Sequence, residues 1–230
     1  MRCITVLFLA LFLVAPAVAQ VPPTPEEIVG YTGILAAAAR GDAAGVKLLL
    51  EQGEDADARD NHGLTPLHVA AYRSHHEVMR ALAAGGADPN TLENDLYDIV
   101  TIAAVANDVP TLKVALKLGA SAGNITSIWD GTALIAAAHL GHTEVVKILI
   151  EAGAPLDHVN NLGWTAVIES IVLGDGGQRH IASLRALVDA GADVNIPDRN
   201  GQTPLELAQS MGYEEMVEIL KGAAGSEYQK

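Results

Sequence analysis

The stretch GLTPLHVAAYRSHHEVMRALAAGGADPN, residues 63–90, decides the fold. A helix opens at Thr65-Pro66, because proline suits the first helical position, where no N–H is needed, and threonine can cap the free amides of that turn. Apolar residues then recur at helical spacing along this helix and along a second helix over 77–84. Gly85-Gly86 supplies the residues for a left-handed ending. The stretch therefore predicts two short helices followed by a hairpin-like loop.

The pattern returns along the chain at a nearly fixed interval. Residues 65–70 read T-P-L-H-V-A, which resembles the T-P-L-H-x-A signature of the ankyrin repeat, whose period is about 33 residues. Glycines predicted to end each second helix recur in steps of 33, 33, 34 and 38 residues, at Gly53, Gly86, Gly119, Gly153 and Gly191. The longest step contains five extra residues within 174–179, which are interpreted either as a flexible lip beside a groove or as a tolerated insertion.

The resemblance implies an all-α ankyrin-repeat solenoid of about six helix–turn–helix repeats. It covers residues 28–222, and the first repeat is predicted to form helices over 28–40 and 43–52. A linker is predicted over 20–27 and a frayed tail over 223–230. The predicted repeats are 28–60, 61–93, 94–127, 128–160, 161–198 and 199–222.

The first nineteen residues have the pattern of a secretory signal peptide. A basic start at Arg2 precedes the apolar run 4–15, and Ala17-Val18-Ala19 forms a small-residue cleavage site. The alternative is a retained anchor, but the run is shorter than the roughly 20 residues that span a bilayer. Three further runs resemble bacterial exported ankyrin-repeat proteins: 130–142, 157–166 and 173–180. The expected location is therefore periplasmic or secreted.

Composition restricts the partners that the chain can take. Cleavage after residue 19 removes Cys3, the single cysteine, so the mature chain forms no disulfide and depends on packing for its stability. The formal charge of −14 becomes −15 when Arg2 is removed. Such a charge argues against nucleic acid and anionic membrane surfaces and favours a neutral or basic protein partner. The chain is expected to be a monomer.

The family resemblance implies a concave binding face, made by the loop tips and the exposed sides of the first helices. Four of the seven aromatic residues of the mature chain fall at those positions, and aromatic anchors are typical of binding hot spots. The alternative is that Trp129 and Trp164 pack onto neighbouring loops. The predicted partner-binding residues are Tyr72, Arg73, Tyr97, Trp129, His139, Leu140, Trp164 and Leu173.

The sequence contains no recognisable catalytic or cofactor-binding motif. The chain shows no nucleophile elbow, no dinucleotide fingerprint and no catalytic cysteine, so we expect no enzyme activity, no catalytic residues and no cofactor. The resemblance implies that His68 holds the T-P-L-H turn, and His75 and His142 share one phase before a second helix. His139 and His142 lack a third ligand at zinc spacing, so no metal site is predicted.

These patterns together favour a non-enzymatic protein–protein interaction scaffold in the export compartment. The alternative is a binder of a small molecule or a cell-wall saccharide through the aromatic strip, or an accessory to an exported enzyme, since tryptophan suits sugar faces.

Overall fold

The computed structural model describes residues 21–226, which form thirteen α-helices. Twelve of these helices form six pairs, each with a first helix, a tight turn and a second helix. The first helices are α2 (Gly33–Arg40), α4 (Pro66–Tyr72), α6 (Ile99–Val105), α8 (Ala133–His139), α10 (Ala166–Val172) and α12 (Pro204–Met211). The second helices are α3 (Ala43–Glu51), α5 (His76–Ala84), α7 (Val109–Lys117), α9 (Thr143–Glu151), α11 (Gln178–Asp189) and α13 (Glu214–Ser226). The remaining helix, α1 (Pro25–Gly30), precedes the first pair.

The six pairs stack into one all-α solenoid, which confirms the predicted fold class. Each first helix packs on the first helices of its neighbours, and each second helix packs on second helices. Along most of the stack the first helices approach one another more closely, so the solenoid bends towards them and they line its concave face. Loops between pairs project along one side, the hairpin edge. Turns within pairs lie along the opposite side, the turn edge.

Polar caps begin the first helices of the second to sixth repeats in register. Each cap side chain accepts a hydrogen bond from the backbone N–H three residues later, which satisfies a free amide of the first turn. Asp98 performs this role in the third repeat, where the T-P-L-H sequence is missing, so that repeat keeps its phase. The caps are Thr65, Asp98, Thr132, Thr165 and Thr203.

Small residues and glycines set the spacing between repeats. Ala70, Ala71, Ala103 and Ala104 are buried, as the pattern predicts, and allow α4 and α6 to approach closely. The five phased glycines all have left-handed φ, between 80° and 98°. Gly85 differs from the prediction: its φ is −87°, and a Cβ there would lie 2.4 Å from Leu50 Cδ1 of the preceding repeat. This glycine therefore serves close packing, while Gly86 alone makes the left-handed ending.

The N-terminal segment departs from the sequence prediction. The single helix predicted over 28–40 is wrong, because Tyr31 has an extended backbone and Gly33 has a φ of 51°, which separates α1 from α2. The linker predicted over 20–27 is wrong at its end, because α1 already begins at Pro25. Thr24 and Glu27 form a reciprocal capping box there, which stabilises the helix start.

The C-terminal segment differs as well. Residues 223–226, predicted to belong to a frayed tail, continue α13, and Ala223 packs against the core. Residues 227–230 and the predicted signal peptide over 1–19 lie outside the described residues. Across residues 21–226, the helices are each too short or too polar to cross a membrane.

Candidate functional site

The hairpin edge is a continuous row of loop tips. Backbone hydrogen bonds join the tips of the second to fifth repeats: Asn94 N–H donates to His62 O at 3.0 Å, and Ser127 N–H donates to Leu96 O at 3.0 Å. Asn161 N–H donates to Trp129 O at 2.9 Å. Side chains at successive tips therefore form one surface across several repeats.

Large apolar side chains are exposed along this row, and three of them lie on the adjacent tips of the third and fourth repeats. Leu96 on the third repeat is 42% exposed, while Ile128 and Trp129 on the fourth repeat are 54% and 40% exposed. We call these three residues the tip cluster. Contiguous exposed apolar side chains are typical of a protein-binding surface, because leaving them in water is unfavourable.

Three non-glycine residues of the same tips have a left-handed backbone conformation, which is unfavourable for residues with a side chain. Leu96 and Asp130 occupy the position that is glycine in the second, fifth and sixth repeats, and their φ values are 66° and 52°. Ser127, at the start of the fourth tip, has a φ of 65°. A left-handed non-glycine residue costs about 1–2 kcal/mol, and such residues concentrate at functional sites. Sequence phasing identified Trp129 but missed Leu96. The sequence feature that could have revealed Leu96 is a leucine at a position that is glycine in three other repeats.

The other predicted aromatic residues are more deeply packed. Tyr72, Tyr97 and Trp164 are half-buried and contact the hydrophobic core. Burial, reinforced by the carboxylate of Glu93, raises the pKa of Tyr72 above its ordinary range, so its phenol stays neutral. Of the two tryptophans, Trp129 alone is exposed, so the aromatic residues do not form one open strip.

The remaining predicted residues lie at the ends of the first helices, away from the tips. Arg73, Leu140 and Leu173 are the residues that follow α4, α8 and α10. A seven-residue first helix is about 10 Å long, so this group and the tip cluster are separated by roughly that distance. The predicted set therefore divides between two edges of the concave face, with His139 in the second group.

His139 lies beside a buried carboxylate. Glu169 of α10 is almost fully buried, whereas the equivalent position holds Ile102 in α6 and Leu207 in α12. Glu169 Oε1 accepts a hydrogen bond from Asn160 Nδ2 at 2.9 Å. Its Oε2 accepts none among the described residues and lies 3.4 Å from His139 Nδ1, so a protonated His139 would pair with it.

Polar side chains on the turn edge connect successive repeats. His75 Nε2 lies 3.3 Å from Ala39 O, and His142 Nδ1 lies 3.0 Å from Ala104 O, each a carbonyl of the preceding repeat. The sixth repeat has Tyr213 at this position, whose hydroxyl donates to Gly174 O at 3.1 Å. The predicted structural role of His75 and His142 agrees with this geometry.

The five-residue insertion keeps the same connection by another route. It moves the start of α11, yet His180 Nε2 reaches His139 O of the preceding repeat at 2.9 Å. Asp175 Oδ1 lies 2.8 Å from His180 Nδ1 and orients the ring. Asp175, His180 and Tyr213 tie the insertion to the repeats on both sides, which argues against the expected flexible lip.

His68 is the polar centre of the T-P-L-H turn. Thr65 N–H donates to His68 Nδ1 at 3.1 Å, while His68 Nε2 lies 3.3 Å from Tyr97 O of the next repeat. This arrangement requires a proton on Nε2 and none on Nδ1. Burial lowers the pKa of His68 from its ordinary 6.5 to about 4, which keeps the ring neutral at physiological pH.

Among residues 21–226, His, Cys, Asp and Glu side chains do not gather in groups of three or more that could hold a metal ion. The geometry of the concave face instead offers surface for recognition: an exposed apolar tip cluster at one edge and mixed polar side chains at the other.

Comparison with known proteins identifies the repeat. A family model described as ankyrin repeats (3 copies) matches residues 9–93 and 100–198, and one described as ankyrin repeats (many copies) matches 177–220. The chain is 32% identical over 190 residues to the ankyrin repeat protein YahD of Escherichia coli K12, covering 82% of this chain and 94% of that protein.

Solved structures agree. An ankyrin repeat domain from Acinetobacter baumannii superposes with a TM-score of 0.78 at 38% identity, covering 83% of this chain and 97% of that one. The ankyrin repeat domain of Bcl-3, a member of the IkappaB family, gives 0.73 at 25% identity, covering 84% and 86%. The protein belongs to the ankyrin-repeat family.

Proposed function

We propose that this protein is a protein–protein interaction scaffold that recognises its partner through the tip cluster of Leu96, Ile128 and Trp129. Ankyrin repeats are generally interaction scaffolds, and the observation that carries the specific assignment is the exposed leucine held in a left-handed backbone. Leu96 is unfavourable there on two counts, strain and exposure, and neither contributes to the stability of the isolated chain.

Charge defines the partner. The chain has a formal charge of −14, and two carboxylates, Asp95 and Asp130, belong to the same tips as the cluster. An apolar side chain flanked by lysine or arginine would match both features. The pattern of residues 1–19 supports a location in the export compartment, where this scaffold acts as a monomer, without nucleic acid, membrane attachment or chemistry of its own.

Recognition of a protein is favoured over recognition of a saccharide. A sugar-binding strip needs stacked, exposed aromatic rings, and Trp164 packs on the core whereas Trp129 is accompanied by the aliphatic side chains of Leu96 and Ile128. Aliphatic side chains suit an apolar protein surface.

Affinity capture from the export compartment tests this proposal. Trp129→Ala should reduce recovery of the partner at least about tenfold, as expected for a hot-spot aromatic residue, with less than about 0.5 kcal/mol change in stability. The matched control is Leu48→Ala, which removes an exposed apolar side chain, 54% exposed, on the second helix α3, away from the hairpin edge. Equal recovery by wild type and Trp129→Ala, or binding of cell-wall fragments abolished by Trp129→Ala, would overturn the proposal.

A further inference from the structure

The segment before the first repeat is anchored to the solenoid. Pro23 is buried, and Glu27 Oε1 lies 2.7 Å from His62 Nε2 at the tip of the second repeat. The Tyr31 hydroxyl donates to Asp60 Oδ2 of the same hairpin at 2.7 Å. We call residues 21–31 the N-terminal strap, and these contacts fix its C-terminal half to the hairpin edge.

The other half of the strap lies against the first helices. Pro22 lines a cavity of about 660 Å³ together with Tyr72 of α4, Val105 of α6 and Ala106. Those residues stand at the turn-edge ends of the second and third repeats, so the strap crosses the concave face from one edge to the other. The depression is open to solvent and leaves space beside Pro22.

The covered surface is suited to such a segment. Ala71, Ile102 and Val105 provide an apolar floor, and prolines lose little conformational entropy when they dock in an extended form. The acidic end of the strap contacts an imidazole, because Glu27 Oε1 lies 2.7 Å from His62 Nε2, and Arg59 belongs to the same hairpin and donates to Gly63 O and Leu92 O. The tips of the third and fourth repeats have Asp95 and Asp130 instead.

We infer that the concave face of the second and third repeats is a binding site for a proline-containing segment that is extended at its start and ends in an acidic first helical turn, and that the N-terminal strap fills this site in cis. A partner segment of the same chemistry must displace the strap. The tip cluster lies outside the covered area, so this site is separate from the one proposed for Leu96, Ile128 and Trp129.

A labelled peptide of residues 20–32, QVPPTPEEIVGYT, tests the inference against the full chain. Pro23→Asp combined with Glu27→Gln should loosen the strap. The peptide should then bind the double variant at least about tenfold more tightly than wild type, because a tethered strap competes at millimolar effective concentration. Trp129→Ala in the double variant should leave this affinity unchanged, which separates the result from the function proposed for the tip cluster. Equal affinity for both chains, or no binding by the double variant, would overturn the inference.

A second measurement does not depend on the double variant. His62→Ala removes an exposed side chain that contacts Glu27, so chymotrypsin should cleave after Tyr31 several times faster than in wild type, with Arg73→Ala as the matched control. An unchanged rate would contradict the proposed docking of the strap.

Discussion

The two edges of the solenoid use repeated positions in opposite ways. On the turn edge, different side chains make the same connection: histidine in the second, fourth and fifth repeats and tyrosine in the sixth each reach a carbonyl of the preceding repeat. On the hairpin edge, the backbone connections are kept, but leucine and aspartate stand where glycine is easier. Left-handed non-glycine residues also occur on the turn edge, at Ser74 and Asn107, so backbone strain alone does not separate the two edges. The hairpin edge differs because Leu96, the residue held there, is a large apolar side chain that is 42% exposed.

The largest predicted effect concerns the buried polar network of the scaffold. His68 has a pKa of about 4 in the folded chain and about 6.5 when unfolded, so acid favours the unfolded chain. Its contribution is complete above pH 6.5 and is lost as the pH falls towards 4. Urea titrations should give a free energy of unfolding about 2.5 kcal/mol lower at pH 4.5 than at pH 7.

His68→Asn should remove most of that pH dependence, whereas the matched control His62→Asn, at an exposed tip position, should retain it. An unchanged pH dependence in His68→Asn would show that other groups cause the loss of stability.

The second effect tests the turn edge at the insertion. His180→Ala removes the contact with His139 O and leaves that carbonyl without its imidazole partner, so the free energy of unfolding should fall by about 2 kcal/mol. Gln178→Ala, at an exposed position two residues earlier, should change it by less than about 0.5 kcal/mol. Similar small changes in both variants would mean that the insertion does not depend on this connection.

The smallest stability effect has the opposite sign and concerns the hairpin edge. Leu96→Gly should relieve the left-handed strain and raise the free energy of unfolding by about 1 kcal/mol. The mirror control is Gly201→Ala, at the equivalent position of the sixth repeat with a φ of 79°, which should lower it by a similar amount. Destabilisation by Leu96→Gly would show that Leu96 contributes to the fold.

Sequence reasoning found what repeats along the chain. A local pattern that recurs in each repeat predicts the phased glycines, the alanine pairs and the structural role of His75 and His142. The pattern also placed Trp129 at an exposed tip.

What sequence reasoning missed depends on contacts between repeats. His180 contacts His139 O of the preceding repeat, as His75 and His142 contact their preceding repeats. Its position in the repeat differs from theirs because the insertion shifts the start of α11, so the repeat pattern does not predict this contact. The proline-rich composition of the strap led to its prediction as a linker. The spacing of Thr24 and Glu27, which form a capping box, is the sequence feature that indicates the start of α1. Trp164 has the same phase as exposed positions, yet the neighbouring core buries half of it.

The most direct test of the central claim is partner capture by Leu96→Gly, with wild type and Gly201→Ala processed in parallel. This variant is expected to be at least as stable as wild type, so lost binding cannot be attributed to unfolding. The account predicts that Leu96→Gly recovers about tenfold less partner than wild type, while Gly201→Ala recovers as much as wild type despite its lower stability. Recovery by Leu96→Gly equal to that of wild type would contradict the assignment of the tip cluster as the recognition surface.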